Sequence, residues 1–211
     1  MPRQNRVLPT GEIIAHPARG LLTGNRGLLH DDAGELGPAR WRHPHWISCA
    51  LTYKDWRRQV MTPGTWTELF FLDEAVALSA GHRPCALCRR ADYTSFRIAW
   101  GRAMGERPGA ADMDHVLHAA RIEKPGRRQR RHAALLATLP DGAFILWTGT
   151  PHLVLKDQLL PYDPQGYGPA AARPPMAEVT VLTPRPMVEV LQAGYRPILH
   201  GSATGADPAS A

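Results

Sequence analysis

The sequence predicts an α+β fold, with short antiparallel strands around a C-x2-C knuckle, a central helical layer and a β-rich C-terminal third. Three observations predict it. Gly and Pro, 19 and 20 of 211 residues, chop the N-terminal part into runs suited to short strands. Tyr93, Phe96 and Trp100 recur at i, i+3 and i+7, the stripe of an amphipathic helix. Beyond Asp141-Gly142, short apolar runs at 143–147, 152–155 and 178–182 read as strands between turns.

Taken in order, residues 12–15 and 20–22 are expected to pair as a hairpin across His16-Pro17-Ala18-Arg19, and Asp31-Asp32-Ala33-Gly34 to form a turn. Gly24-Asn25-Arg26-Gly27 has two readings. It is a hairpin turn by composition, or a glycine-flanked loop that cradles a phosphate or base with Asn25 and Arg26 reaching in and His30 nearby. Strands are expected at 46–53 and 65–72. Asp73 is a natural N-cap, residues 75–78 are helix-forming, and Gly81 suits the left-handed position after a helix. The helix carrying Tyr93 is followed by others at about 112–122 and 128–139, after breaks at 105–109 and Pro125-Gly126. Residues 1–125 form the knuckle-bearing α+β region and 126–200 a helix plus β-rich region packed with it as one unit. Residues 201–211, all Gly, Ser, Ala, Thr, Asp and Pro, are expected to be a disordered tail. The wording A-G-x-R-P after a strand and a helix occurs twice, at Ala80 and at Ala193, with Ile198 where the first copy has Cys85. Degenerate duplication and convergence on the same helix stop both explain it.

Pro84 ends the first helix region and presents Cys85 and Cys88. Two cysteines separated by two residues can both direct sulfur to one ion about 2.3 Å away, which makes zinc the expected cofactor. The chain has three cysteines, which suits metal in a reducing compartment, the cytoplasm, better than a disulfide framework. No apolar run of about 18 residues and no apolar leader occur, so no membrane partner is expected. A net charge of +6 and a pI near 9.6, with arginine carrying most of the excess, favour a polyanionic partner.

The run from Phe70 to Cys88, worded E-A-x-A-L-x-A-G-x-R-P-C-x-x-C, resembles the second half of the zinc-binding domain of Ada-type DNA-repair proteins. The similarity spans residues 43–90. It implies a zinc-stabilised module in a family that commonly deals with DNA. It also implies an upstream ligand pair, matched here by His45 and Cys49 in H-x3-C spacing, alongside Cys85 and Cys88. The residues themselves leave Cys49 open, because Ile47, Cys49, Leu51 and Tyr53 also alternate as the apolar face of a strand. His118 is the reserve fourth ligand. In the repair proteins the first pair includes the methyl-accepting thiolate. With His45 at the first of these positions, suicidal methyl transfer is not expected.

Three functions remain open. The first is nucleic-acid binding through Asn25, Arg26, Arg127, Arg128, Arg130 and Arg131 around a structural zinc. The second is a metal-associated or histidine-dependent hydrolase or nuclease using Asn25, Arg26, His30 and His118, with His118 and His30 as candidate catalytic groups. The third is a structural zinc protein with a protein partner. Asp114-His115 downstream of C-x2-C resembles HNH nucleases, but no Asn follows Asp114 to complete such a site.

Overall fold

The computed structural model describes residues 1–55, 59–123 and 128–205. Its described residues have mixed α/β content, with 13 strands in two sheets and five α-helices. The first sheet is built from β1 (Gln4–Val7), β2 (Ile13–Ala15), β3 (Leu22–Asn25), β4 (Ile47–Ala50), β5 (Leu69–Phe71) and β6 (Arg83–Pro84), in the order β2-β1-β5-β3-β4-β6. The second contains β7 (His132–Leu135), β8 (Phe144–Trp147), β9 (Thr150–Leu155), β10 (Gln158–Asp163), β11 (Gly166–Tyr167), β12 (Ala171–Ala172) and β13 (Glu178–Val181). The helices are α1 (Glu74–Ser79), α2 (Arg90–Met104), α3 (Ala110–Arg121), α4 (Arg185–Gln192) and α5 (Gly201–Thr204).

Period-two alternation divides the interior. On the second sheet, Phe144, Leu153 and Leu160 join Val7, Leu22, Leu69 and Phe71 of the first sheet and Ala75 to Ala77 of α1 in one core. Their neighbours Ile145, Val154 and Leu159 face the other way. They pack with Val179 and Val181 against Phe96 and Trp100 of α2, Met113 and Leu117 of α3, and Val190 and Leu191 of α4. The stripe read from Tyr93, Phe96 and Trp100 is therefore core, and α2 stops at Gly105 in the left-handed conformation.

Helix α1 is buried at every position. Asp73 caps it by accepting from the Val76 amide at 3.0 Å, and also accepts from the Tyr167 hydroxyl at 2.7 Å and the His200 amide at 3.0 Å. Glu74 accepts from the Tyr195 hydroxyl at 2.6 Å and the Ile198 amide at 2.9 Å, and meets the Arg89 guanidinium at 2.9 Å. Both repeats of A-G-x-R-P end their helices alike. Ala80 and Ala193 share φ −73° and ψ 3°, and Gly81 and Gly194 take positive φ of 85° and 104°.

Several expectations are corrected. Residues 12–15 and 20–22 do not form one hairpin, because β2 pairs with β1, and β3 pairs with β4 and β5. Residues 128–139 do not form a helix. His132–Leu135 is an edge strand on β13, followed by a 3-10 turn at Leu136–Thr138, because backbone pairing to β13 overrides the helix propensity of Ala and Leu. The tail begins with an ordered helical turn, α5, since Ser202 hydrogen-bonds Tyr167 and His200; residues 206–211 lie outside the described residues.

Glu74→Ala would leave the Arg89 guanidinium buried without its main counter-ion and orphan Tyr195. We expect a loss of about 3–5 kcal/mol in urea unfolding. Glu178→Ala, on an exposed position of β13, should change stability by less than about 0.5 kcal/mol.

Candidate metal centre and cavity

The parallel pairing of β4 with β6 sets Ile47 against Arg83 and Ser48 against Pro84. The next residue along each strand is a cysteine, so Cys49 and Cys85 come together by register. The turn after Pro84 returns Cys88 to the same place, with the Leu87 amide donating to Cys85 Sγ at 3.4 Å. Cys49, Cys85 and Cys88 offer sulfurs within 4.8 Å of one another, a group that could hold a metal ion. Hydrogen bonds from Cys49 and then Cys88 pull Cys85 far below the ordinary thiol range, while donating to Cys85 drives Cys49 up. The cluster thus favours one thiolate, the metal-ligating form.

His45 does not join it. It precedes β4 and is not among the residues whose ligand atoms lie within 4.8 Å of one another. Its Nδ1 instead meets Asp114 Oδ2 at 2.9 Å. Asp114 is also gripped by Arg83 through two bonds of 2.8 Å, Nε to Oδ1 and Nη2 to Oδ2. His118, the reserve ligand, is likewise outside the cluster. Among the described residues no fourth His, Cys, Asp or Glu comes within reach of the sulfurs.

A second feature lies beside the start of β4. Trp46 is buried, and the guanidinium carbons of Arg26 and Arg121 sit 4.2 and 3.9 Å from its ring centroid. Arg121 donates to the carbonyls of Gly81 at 2.7 Å and Pro44 at 2.5 Å. A Cβ on Gly81 would come within 2.5 Å of the Arg121 side chain, so the glycine that ends α1 also seats this arginine. Arg26 donates to the Gly11 carbonyl at 3.1 Å and to His82 Nε2 at 3.3 Å. His118 packs edge-on to Trp41, centroids 4.6 Å apart, with Nδ1 3.0 Å from Arg121 Nη2. Arg26, Trp41, Trp46 and Arg121 border a cavity of about 740 Å³ lined also by Glu12, Arg40, Glu123, Arg128, Gln129 and Arg131.

Compared with protein-family models, curated proteins and solved structures, the chain shows no match. The site must be read from its own geometry.

That geometry brings together some of the residues singled out from sequence and separates others. Cys49, Cys85 and Cys88 converge. Arg26, Arg128 and Arg131 meet at the cavity, Arg26 as a buried wall residue and not as a loop-tip contact. Asn25 is withdrawn from it, its Oδ1 bonded to His43 Nε2 at 3.1 Å within the β3–β4 ladder. His30 is buried elsewhere, on a separate cavity of about 260 Å³, held by Thr67 and the Gln4 carbonyl. The grouping of Asn25, Arg26, His30 and His118 as one catalytic set is therefore not formed. Arg130 is exposed and reaches the Ile122 carbonyl; Arg127 lies outside the described residues. Sequence reading did not single out Arg40, Trp41, Trp46 and Gln129 as a site. The density of Arg, Trp and His between Arg40 and Trp46 was the available signal.

His82, fully buried, accepts from Arg26. Burial first, and then Arg26 and Arg121, hold its imidazole well below the usual range. The unfolded chain then binds a proton near pH 6.5 that the folded chain does not. Stability is fully present above that pH and falls as pH drops from 6.5 toward the lowered folded value, by up to about 1.4 kcal/mol per pH unit. Urea unfolding at pH 7.5, 6.5 and 5.5 should show this slope, and His82→Gln should flatten it.

Proposed function

We propose that this chain is a zinc-binding protein whose metal is structural and whose arginine-rich face binds nucleic acid. The observation that carries the reading is the convergence of Cys49, Cys85 and Cys88 from two strands and a turn. Thiolates are soft donors that favour zinc over magnesium or calcium, and tetrahedral zinc–sulfur bonds of about 2.3 Å place sulfurs about 3.8 Å apart, within the span of this cluster. The wording shared with Ada-type domains over residues 43–90 supports the same assignment. A metal here would clip β4 to the turn that opens α2. Arg89, directly after Cys88, extends the clip to Glu74, Asp92 and Ser48.

The nucleic-acid half rests on charge. The chain carries +6, and exposed Arg40, Arg128 and Arg131 border one cavity, so their fields add on one face. Methyl-acceptor repair is disfavoured, because His45 serves Asp114 and stands apart from the sulfurs. One observation favours a second reading. Three protein ligands, with no fourth among the described residues, would leave a coordination position for water, the arrangement of a hydrolytic zinc centre.

Elemental mass spectrometry of the purified protein should find about one zinc per chain. The metal should be lost in Cys49→Ser and Cys85→Ser and kept in His45→Ala. Zinc retained in Cys49→Ser would make that residue core, and metal-free wild-type protein would overturn the assignment. Oligonucleotide binding should weaken with salt, and Arg128→Gln should reduce the log–log salt slope by about one. Metal-dependent nuclease turnover lost on Cys88→Ser would favour the hydrolytic reading.

A further inference from the structure

The cavity bounded by Trp41 and Trp46 holds more unmet hydrogen-bonding capacity than a folded interior normally tolerates. Buried polar side-chain atoms are nearly always paired, and each exception calls for a cause. Four such atoms, Arg26 Nη2, Arg121 Nε, Trp41 Nε1 and Gln129 Oε1, are buried without a hydrogen-bond partner and belong to residues lining this cavity. Arg26 and Arg121 are 2% and 1% exposed, so these donors lie in the wall of the cavity and not on the outer surface.

Charge adds to the case. Five arginines, Arg26, Arg40, Arg121, Arg128 and Arg131, line the cavity beside two carboxylate residues, Glu12 and Glu123. Burial, and then the repulsion of Arg40, brings Arg26 down to about 9; Arg121 is lowered by burial and then by Arg26. The unliganded cavity is thus held in an electrostatically unfavourable state that a multiply charged anion would relieve. A phosphate supplies that charge in a form that forked guanidinium donors match.

Two details narrow the ligand beyond phosphate. Gln129 spends both amide hydrogens on the Pro9 and Ser79 carbonyls, at 2.9 and 2.7 Å, which fixes its Oε1 as an acceptor awaiting an N–H or O–H. Trp41 is only half-buried, which leaves ring surface for a planar group. A volume of about 740 Å³ falls in the range of sites for one small molecule. Anionic oxygens, a planar ring and hydrogen donors on one small body describe a nucleotide.

We propose that this cavity binds a single phosphorylated nucleotide, with its phosphate gripped by Arg131 beside the single unpartnered donors of Arg26 and Arg121, its base against Trp41 and a donor group on Gln129. The proposal rests on the nucleic-acid half of the reading above and names the unit recognised. It does not depend on the metal centre.

Titration of the full-length, metal-loaded protein with nucleoside 5′-monophosphates, followed by calorimetry and tryptophan fluorescence, tests it. One saturable site per chain with quenching is expected, with inorganic phosphate weaker and non-quenching, and the unphosphorylated nucleoside without measurable binding. Trp41→Leu should remove most of the quenching and weaken binding about tenfold. Arg131→Gln, on an exposed position that spares the fold, should weaken it about tenfold at unchanged melting temperature. A 5′-phosphorylated trinucleotide that binds tighter than the monophosphate identifies a strand end as the source; the reverse order identifies the free nucleotide. Absence of saturable mononucleotide and trinucleotide binding, or affinities untouched by both substitutions, overturns the proposal. If longer oligonucleotides still bind in that case, the surface reading survives without the cavity. If nothing binds, both fall.

Discussion

The rest of the structure hangs on two adjacent carboxylates, Asp73 and Glu74, buried at the start of α1. Placing charge in an interior is unfavourable unless every oxygen is answered. Here the answers come from distant parts of the chain: Tyr167 and His200 for Asp73, and Tyr195, Ile198 and Arg89 for Glu74. The pair therefore forces the C-terminal segment to lie across the first helix and welds the second sheet to the first. Apolar burial would tolerate several arrangements of these layers. The demand of two carboxylates for particular partners leaves one.

A second buried ion pair orders the functional face. Arg83 grips Asp114 with both arms, which docks α3 on the strand that leads into Cys85. With α3 fixed, Arg121 at its end reaches under Trp46 and onto the Gly81 carbonyl, and so becomes a wall of the cavity. The contrast between the two groups of arginines is informative. Arg83 and Arg89 are buried with carboxylates, as folding stability requires. Arg26 and Arg121 are buried with aromatic rings, carbonyls and each other, which binding explains better than folding does.

Local signals were legible where local physics decides. The Asp73 cap, the glycine stop at Gly81, the stripe of α2 and the Cys85–Cys88 spacing each follow from a few neighbouring residues, and each is found. Pairing partners were not legible. Residues 12–15 chose β1 over 20–22, and residues 132–135 became a strand because β13, 43 to 49 positions further on, offered an edge that no local pattern announces. The site divides the same way. Cys49 was nominated by resemblance and is delivered by the register of β4 on β6, while the same resemblance nominated His45, which stands before the strand and is held by Asp114 instead. Arg26 was singled out for an exposed loop and proves to be a buried wall, since glycine flanks report backbone freedom and say nothing of burial.

The pairing that delivers Cys49 is itself slight. β6 has two residues, one of them Pro84, which has no N–H to donate. The Arg83 and Cys85 amides bond to the Trp46 and Ser48 carbonyls, and Ser48 Oγ donates to the Arg83 carbonyl. Contacts of this kind, each with a net value of about 1 kcal/mol, do little to hold β6 and the cysteine turn against β4, which is itself laddered to β3 from Ile47 to Ala50. A metal shared by three sulfurs would tie the Cys85–Cys88 turn to β4 at Cys49, while Arg26 and Arg121 brace Trp46 beside the other end of the strand. The two sites then share β4 as a common support, which gives a physical reason for a thiolate cluster with no evident chemistry of its own to lie next to a cavity built for an anion.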